Sequence, residues 1–374
     1  MCRPAALRLA VLALSAVAPA AAGQPPSPDT ETTLILIGDA GAPAARGEPV
    51  LRALEAAAGV SPQRTLVLFL GDNVYPAGFP AESARGRAEA ARRLDAQVDA
   101  VRRAGARSVF IPGNHDWAHE QADGWESIRR QAAHLAARAG AAAGLLPRGG
   151  CPGPETLDLG EHLRLVLLDT QWWLHDGPRP QGPGSGCAAS SESEVLAALG
   201  DAVAATGARQ VVVAGHHPLR TGGPHGGHFT WKDHLFPLRA ARPWLWLPLP
   251  LIGSAYPSAR QAGITSQDLA GEANRRLRAA IEGAFERSRP LVYASGHEHT
   301  LQVLEGSGAR HLLVSGAGIF GHTSAVKRLP DTRFASSRAG FMRLDVGAAG
   351  RVRLTVLEVD ARGTAREAYV AWLD

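Results

Sequence analysis

The chain has 374 residues, of which 45% are hydrophobic and 20% charged, a composition typical of a globular protein with one large domain or two smaller ones. Its 39 basic and 35 acidic side chains give a formal net charge of +4. No run of Lys or Arg would form a nucleic-acid-binding surface, so the charge pattern argues against a nucleic-acid partner.

Residues 1–22 have the features of a secretory signal peptide. Arg3 and Arg8 supply the positive end, residues 7–17 form an apolar core too short to span a bilayer, and residues 20–22 are small alanines suited to cleavage. We expect an exported protein, periplasmic or extracellular, with no transmembrane segment after cleavage. The alternative is a frayed Ala-rich N-terminus.

The next segments predict a Pro-rich spacer at residues 23–32 and one domain at residues 33–374. Within the domain, apolar runs predict strands at residues 33–37, 65–70, 108–111, 162–168, 210–213, 291–293 and 311–314. Amphipathic patterns predict helices at residues 50–58, 82–104, 120–139, 193–205 and 266–287. The tail alternates apolar and polar residues at 341–346, 351–359 and 367–372, which indicates antiparallel strands. These patterns favour an α/β sandwich of two sheets with outer helices.

Two cysteines remain after removal of the signal peptide. Cys151 and Cys187 lie in Gly/Pro-rich loops that flank one predicted strand. In an oxidising compartment they are expected to form a disulfide, the alternative being two unpaired surface thiols.

Residues 243–252 form an apolar stretch that is too Pro-rich for a helix and too short to span a bilayer. We interpret it as a packed loop. The alternative is an exposed apolar patch that contacts a partner or a membrane surface.

Polar side chains follow five of the predicted strands. They are Asp39, then Asp72 with Tyr75, then Asn114 with His115, then His216, and finally His297 with His299. Each residue alone has an ordinary explanation in turn chemistry or packing, but turns do not call for His. Carboxylate, imidazole, amide and phenol ligands suit Fe, Mn or Zn. Seven such ligands are enough for two ions, with Asp72 as the bridging carboxylate. His297 and His299 can both turn inward only if the backbone bends there, which Gly296 permits.

The motifs around these residues are Gly-Asp-x-Gly, Gly-Asp-x-x-Tyr, Gly-Asn-His-Asp, Val-x-x-His and Gly-His-x-His. In this order they resemble the five motifs of the purple acid phosphatases, which are calcineurin-like metallophosphoesterases. The resemblance extends over residues 34–318. Many relatives in the wider superfamily have a His where Gly41 stands here, and the presence of Tyr75 instead points to the purple branch.

The resemblance implies a four-layer α/β/β/α sandwich of two mixed sheets, with a dinuclear metal site at the C-terminal ends of the strands. It implies an Fe(III) site formed by Asp39, Tyr75 and His299. A second site, for Fe, Zn or Mn, is formed by Asn114, His216 and His297, and Asp72 bridges the two.

The same resemblance gives roles to nearby histidines. His115 is a substrate-side residue that Asp116 is expected to orient. His225 is a second substrate-side histidine, although Pro224 stands where an acidic residue is usual, so the roles of His225 and His228 stay open. His217 is interpreted as a residue of the pocket wall, the alternative being that it is the ligand in place of its neighbour.

The resemblance implies hydrolysis of small phosphate esters by a hydroxide that the metals generate, with His115 or His225 protonating the leaving oxygen. We expect a phosphomonoesterase of the acid phosphatase type. One alternative is a phosphodiesterase or nucleotide hydrolase with the same site. The other is a non-catalytic, metal-containing binding protein.

Overall fold

The computed structural model describes residues 29–240 and 244–374. The strands, in chain order, are β1 Thr30–Ile37, β2 Thr65–Phe69, β3 Arg107–Phe110, β4 Ala143–Leu145, β5 Glu155–Leu159, β6 Leu163–Leu167, β7 Gln210–Ala214, β8 Val292–Ser295, β9 Leu301–Glu305, β10 His311–Ser315, β11 Thr332–Ser336, β12 Gly340–Gly347, β13 Val352–Val359 and β14 Ala365–Trp372. The helices are α1 Pro49–Ala58, α2 Arg87–Arg103, α3 Gly124–Ala139, α4 Gln171–Leu174, α5 Glu192–Ala204, α6 Trp231–Leu235, α7 Ala255–Gln261 and α8 Glu272–Ala284.

The strands form two mixed sheets. The first has the order β14-β13-β12-β1-β2-β3-β4, in which β1 to β4 are parallel and β12 to β14 are antiparallel. The second has the order β11-β9-β10-β8-β7-β6-β5, with a parallel centre of β10, β8, β7 and β6. Parallel neighbours bring their C-terminal ends to one edge of a sheet, where open α/β sheets bind their ligands.

The core has three apolar layers because alternate residues of a strand point to opposite faces. Leu34 and Leu36 of β1 pack between the two sheets, against residues such as Val212 of β7. Ile35 and Ile37 of the same strand face the other way, towards α1, α2 and α3. The outer face of the second sheet is covered by α5 and α8. The result is the predicted α/β/β/α sandwich.

Several predicted boundaries differ from the structure. The helix predicted at residues 82–104 begins only at Arg87, after Gly86 adopts a left-handed backbone with φ of 93°. The helix predicted at 266–287 spans Glu272–Ala284. Strand β1 begins at Thr30, within the predicted spacer, while the predicted signal peptide lies outside the described residues. The prediction also missed β4, β5, β9 and β11, which are short or lack a clear alternation.

The predicted disulfide between Cys151 and Cys187 is present. It joins the loop before β5 to the loop before α5 and closes a segment of 36 residues. That segment contains β5, β6 and α4, so the bond restrains one edge of the second sheet. Among the described residues, no helix is long and apolar enough to cross a membrane.

We expect the double substitution Cys151→Ser/Cys187→Ser to lower the free energy of unfolding by about 2–5 kcal/mol, because the open chain gains conformational entropy when the loop is not closed. Urea unfolding of the two proteins measures the difference. Reduction with dithiothreitol serves as the control, since it should destabilise the wild type and leave the variant unchanged. Equal stability of variant and wild type would contradict the prediction.

Candidate metal centre

Three of the predicted ligands lie directly after strands in a strained backbone conformation. Asp39, Asp72 and His297 have φ of 58°, 55° and 64°, which is the left-handed region that non-glycine residues rarely adopt. The bend that turns the His297 and His299 side chains inward is therefore at His297 itself. Gly296 permits this arrangement by allowing close approach, because a Cβ there would lie 2.6 Å from Asp39 Oδ2.

A first set of donor atoms surrounds the Tyr75 hydroxyl. This oxygen lies 3.2 Å from Asp39 Oδ1, 3.2 Å from Asp72 Oδ2 and 3.1 Å from His299 Nε2. His299 Nε2 is in turn 3.4 Å from Asp39 Oδ1. One phenolic proton cannot satisfy two carboxylates and an imidazole at once. The four residues therefore form a cluster of electron-pair donors with room for a cation.

A second set of donor atoms consists of Asn114 Oδ1, His216 Nε2 and His297 Nδ1. Their separations are 3.0, 3.1 and 3.2 Å. The opposite ring nitrogens of both histidines lie against backbone carbonyls. His216 Nδ1 donates to Leu70 O and His297 Nε2 donates to Gln267 O. In the neutral rings the lone pairs therefore face one another and Asn114 Oδ1, an arrangement that requires a metal ion or a proton between them.

Asp72 belongs to both sets. Its Oδ2 lies near Tyr75, while its Oδ1 lies 3.4 Å from His216 Nε2 and accepts a hydrogen bond from the His115 amide. The carboxylate is 2% exposed. Burial opposes its ionisation, but the His115 and His216 imidazoles hold the pKa of Asp72 well below its usual range. One oxygen for each set is the arrangement expected of a bridging carboxylate.

The Asp39 and Asp72 carboxylates also shift the pKa values of His216 and Tyr75. Burial disfavours the imidazolium form of His216, but the Asp72 and Asp39 carboxylates raise its pKa to about 9. Burial and the same two carboxylates raise the pKa of Tyr75 well above its usual range. A Tyr75 phenolate therefore needs a strong positive charge beside it. The donor atoms and their excess of negative charge fit two metal ions, as the family resemblance implies.

Gly41 has no space for the His that many relatives carry at this position. A Cβ on Gly41 would lie 2.4 Å from backbone atoms of Asp72 and Asn73. The Tyr75 amide donates to Gly41 O at 3.1 Å, which fixes the two segments side by side. The close backbone approach excludes a side chain on Gly41. Tyr75, in the neighbouring loop, supplies its hydroxyl oxygen to the first set.

Asp116 does not orient His115, contrary to the expectation from the motif. Its carboxylate accepts hydrogen bonds from the backbone amides of Gly113, Asn73 and Val74, and so holds the two turns that carry Asn114 and Asp72. Burial and the charge of Asp72 raise the pKa of Asp116 to about 7.

His115 is held by its backbone and by Pro76. Its Nδ1 donates to Pro76 O at 2.5 Å, which leaves Nε2 3.7 Å from Asp72 Oδ2. This geometry keeps His115 next to both donor sets while its ring stays outside them. It is compatible with the substrate-side position that the resemblance implies.

His217 lies close enough to His216 and His297 for a site of three histidines. However, both of its ring nitrogens have other partners, Thr170 Oγ1 at 2.8 Å and Gln267 Oε1 at 2.9 Å. Burial and the neighbouring His216 lower the pKa of His217 to about 3, so the ring is neutral. These contacts favour the interpretation of His217 as a residue of the pocket wall.

His225 lies beside the second set, with its ring centroid 4.0 Å from that of His297. Its Nδ1 is 3.0 Å from Asp268 Oδ1 and 3.0 Å from Arg260 Nη2. Asp268 is 1% exposed and also accepts from Arg260 Nε at 2.8 Å. A carboxylate thus contacts His225 although Pro224 is not acidic. His228 lines a separate, neighbouring pocket with Lys327.

A pocket of about 380 Å³ opens over the donor sets. Its lining includes six predicted site residues and six that sequence reasoning missed, namely His119, Tyr256, Arg260, Ile264, Thr265 and Gln267. His119 could have been found from its position four residues after His115. Its ring stands 3.8 Å from that of His115, on a left-handed backbone with φ of 52°. The others come from a distant segment with no motif.

The chain matches the family model described as calcineurin-like phosphoesterase over residues 32–301. No curated protein sequence gives a significant match. The structure resembles GAP50, described as the anchor in the inner membrane complex of Plasmodium, with a TM-score of 0.55 and 13% identity. The alignment covers 92% of this chain and 89% of that one.

The structure also resembles the purple acid phosphatase PPD1 from seeds of yellow lupin, Lupinus luteus, with a TM-score of 0.51 and 11% identity. Here the alignment covers 91% of this chain and 53% of the lupin protein. At these identities the two likenesses concern the fold. The match to the family model covers most of the chain and rests on its sequence.

We predict that substitutions in the two donor sets change metal content in different ways. Asn114→Ala and His299→Ala should each lower the content by about one ion per chain, whereas Asp72→Ala should lower it by about two, because both sets share that carboxylate. Elemental analysis of the purified proteins measures this. His217→Asn is the matched control and should keep the wild-type content. Loss of metal in the control would indicate that His217 is a metal ligand.

Proposed function

Because the chain belongs to the calcineurin-like phosphoesterase family, we propose that it is an exported hydrolase of phosphate monoesters of the acid phosphatase type. The observation that carries this proposal is the pair of donor sets sharing the Asp72 carboxylate. The family depends on two metal ions, and a chain that had lost its catalysis would be expected to have lost ligands. All seven predicted ligands instead lie in the two donor sets.

We propose Fe(III) for the set with Tyr75, and Fe, Zn or Mn for the set with Asn114. A phenolate beside two carboxylates and an imidazole is a hard donor set suited to a trivalent ion. Two imidazoles with an amide oxygen suit a divalent ion of borderline softness. When bound, the ions supply Lewis-acid chemistry that polarises a phosphoryl oxygen and lowers the pKa of a water molecule.

The residues of the chain supply position and protons. His115 has its Nδ1–H committed to Pro76 O, so the proton that it can donate to a phosphoryl or leaving oxygen is the Nε2 proton of the imidazolium form. His225 Nδ1 contacts both Asp268 Oδ1 and Arg260 Nη2, and these two contacts hold the ring beside the second set. Arg260 in turn holds Asp268 from the side of the pocket. We propose that His115 and His225 contact the phosphoryl group and that Asp268 is a positioning residue.

Export is proposed from two features. The predicted signal peptide at residues 1–22 would direct it, and the Cys151–Cys187 disulfide fits an oxidising compartment.

The proposal is tested with p-nitrophenyl phosphate and its bis ester. We expect clear turnover of the monoester and much slower turnover of the bis ester. Preference for the bis ester would favour a phosphodiesterase with the same site. Turnover of neither by a protein loaded with two metal ions would favour a binding protein.

We predict that His115→Ala lowers kcat for the monoester by about 10²–10⁴-fold, the usual effect of losing a general acid. Asp268→Asn should lower it by about 10–100-fold, as for residues that orient a catalytic side chain. Metal content should stay at the wild-type level in both variants. His134→Ala is the control, because this ring bonds Asp95 away from the pocket. If metal is lost with His115, the role given to it is wrong.

We predict a broad absorption band near the middle of the visible range, from charge transfer between the Tyr75 phenolate and Fe(III). Tyr75→Phe should abolish the band. Tyr293→Phe is the matched control, since this buried hydroxyl donates to His217 O and belongs to neither donor set. A colourless, active protein that contains only Zn or Mn would contradict the Fe(III) assignment and leave the hydrolase intact.

A further inference from the structure

A group of large apolar side chains is exposed beside the pocket. Trp244, Leu251 and Ile252 are 73%, 92% and 70% exposed. The interpretation of this stretch as a packed loop is therefore wrong for residues 244–252. We name the group the aromatic patch and define it as Trp231, Trp244, Trp246, Leu247, Leu251 and Ile252.

The patch is built on a defined scaffold. Helix α6, which begins at Trp231, is joined to the following segment by a hydrogen bond from Leu249 N to Leu235 O. The Trp246 ring packs against Phe236 with a centroid separation of 5.2 Å. The patch residues on these segments therefore occupy one region of the surface.

Leu251 is held outward by a strained turn. Its φ of 68° and ψ of −63°, together with the hydrogen bond from Ile252 N to Pro250 O, define a γ-turn of the rare, strained type. Strained backbone persists where surrounding contacts maintain it, and it is common at functional sites. Here the strain presents a leucine almost entirely to solvent. A protruding apolar side chain such as that of Leu251 is suited to insertion into the acyl region of a lipid bilayer.

Positive charge accompanies the patch. Residues 230–254 contain three Lys or Arg and one acidic residue, Asp233, whereas the chain as a whole is close to balance. Asp233 caps α6 by accepting from Thr230. The Arg239 guanidinium lies 3.8 Å from the Trp246 ring centroid, and Lys232 Nζ lies 5.8 Å from that of Trp231. The cations are therefore placed at the exposed indoles themselves.

We propose that the aromatic patch binds the surface of an anionic lipid bilayer. Indole rings prefer the headgroup region, where one end of the ring is apolar and the other polar. Lys and Arg beside them are attracted to anionic headgroups, and the protruding Leu251 enters the acyl boundary. The patch continues towards the pocket through Tyr256 of α7, so a bound bilayer would lie next to the mouth of the site.

Co-sedimentation of the full-length protein with vesicles tests this proposal. We expect binding to phosphatidylglycerol-containing vesicles at least tenfold tighter than to pure phosphatidylcholine, and weaker binding at high salt. Trp244→Ser/Trp246→Ser should bind at least tenfold more weakly. Lys232→Gln/Arg239→Gln should lose the preference for anionic vesicles and most of the salt dependence.

Strand β14, at one edge of the first sheet, offers matched controls. Trp372 is 52% exposed, close to the 53% of Trp246, and Arg351 lies 4.2 Å from its ring centroid. Trp372→Ser and Arg351→Gln should bind vesicles as the wild type does. Thermal unfolding and hydrolysis of p-nitrophenyl phosphate confirm that each variant is folded.

Absence of vesicle binding, or an equal loss in the Trp372 control, would overturn the proposal. Sedimentation velocity tests the alternative that the patch binds a second copy of the chain. A wild-type dimer that Trp244→Ser/Trp246→Ser converts to monomer would assign the patch to self-association instead. Because binding is measured without substrate, failure here and failure of the phosphatase proposal are distinguishable.

Discussion

The structure depends on the burial of two carboxylates, Asp39 and Asp72. They lie where the C-terminal ends of the parallel strands of both sheets meet. Each is 2% exposed, and an ionised carboxylate removed from water costs several kcal/mol unless opposite charge or hydrogen bonds compensate it. Backbone amides provide part of the compensation, since His297 N donates to Asp39 and His115 N donates to Asp72. The remaining negative charge requires a cation. The imidazoles and the phenol that converge here are arranged around that requirement.

Holding these groups in place requires support from a second layer of residues. The left-handed backbone of Asp39, Asp72 and His297 is unfavourable for residues with side chains, so other contacts must maintain it. Asp116 supplies some of them by bonding the amides that follow Asp72. The contact between Gly41 and the Asp72 backbone supplies another. The strain at the site is thus maintained by the packing of neighbouring turns.

The fold and the convergence of the candidate ligands could be predicted because both follow local patterns. Apolar runs in the sequence predict buried strands. A His directly after such a run is not explained by the residue preferences of turns, so it indicates a candidate ligand. The role of Asp116 could not be predicted, because adjacency to His115 says nothing about which amides its carboxylate reaches. Asp268 lies 43 residues from His225 in sequence, and only the path of the chain brings them together. The exposure of Trp244 depends likewise on tertiary packing, since apolar residues between prolines fit a buried loop equally well.

The order of the ligands along the chain has a consequence for how the protein matures. Asp39 and His297, joined by a hydrogen bond, are 258 residues apart in sequence. Neither donor set can therefore form until β8 has joined its sheet, late in biosynthesis. If the chain crosses a membrane unfolded, it meets its metals only after translocation. The identity of the ions would then reflect which metals are available outside the cytoplasm, in addition to the preferences of the ligands.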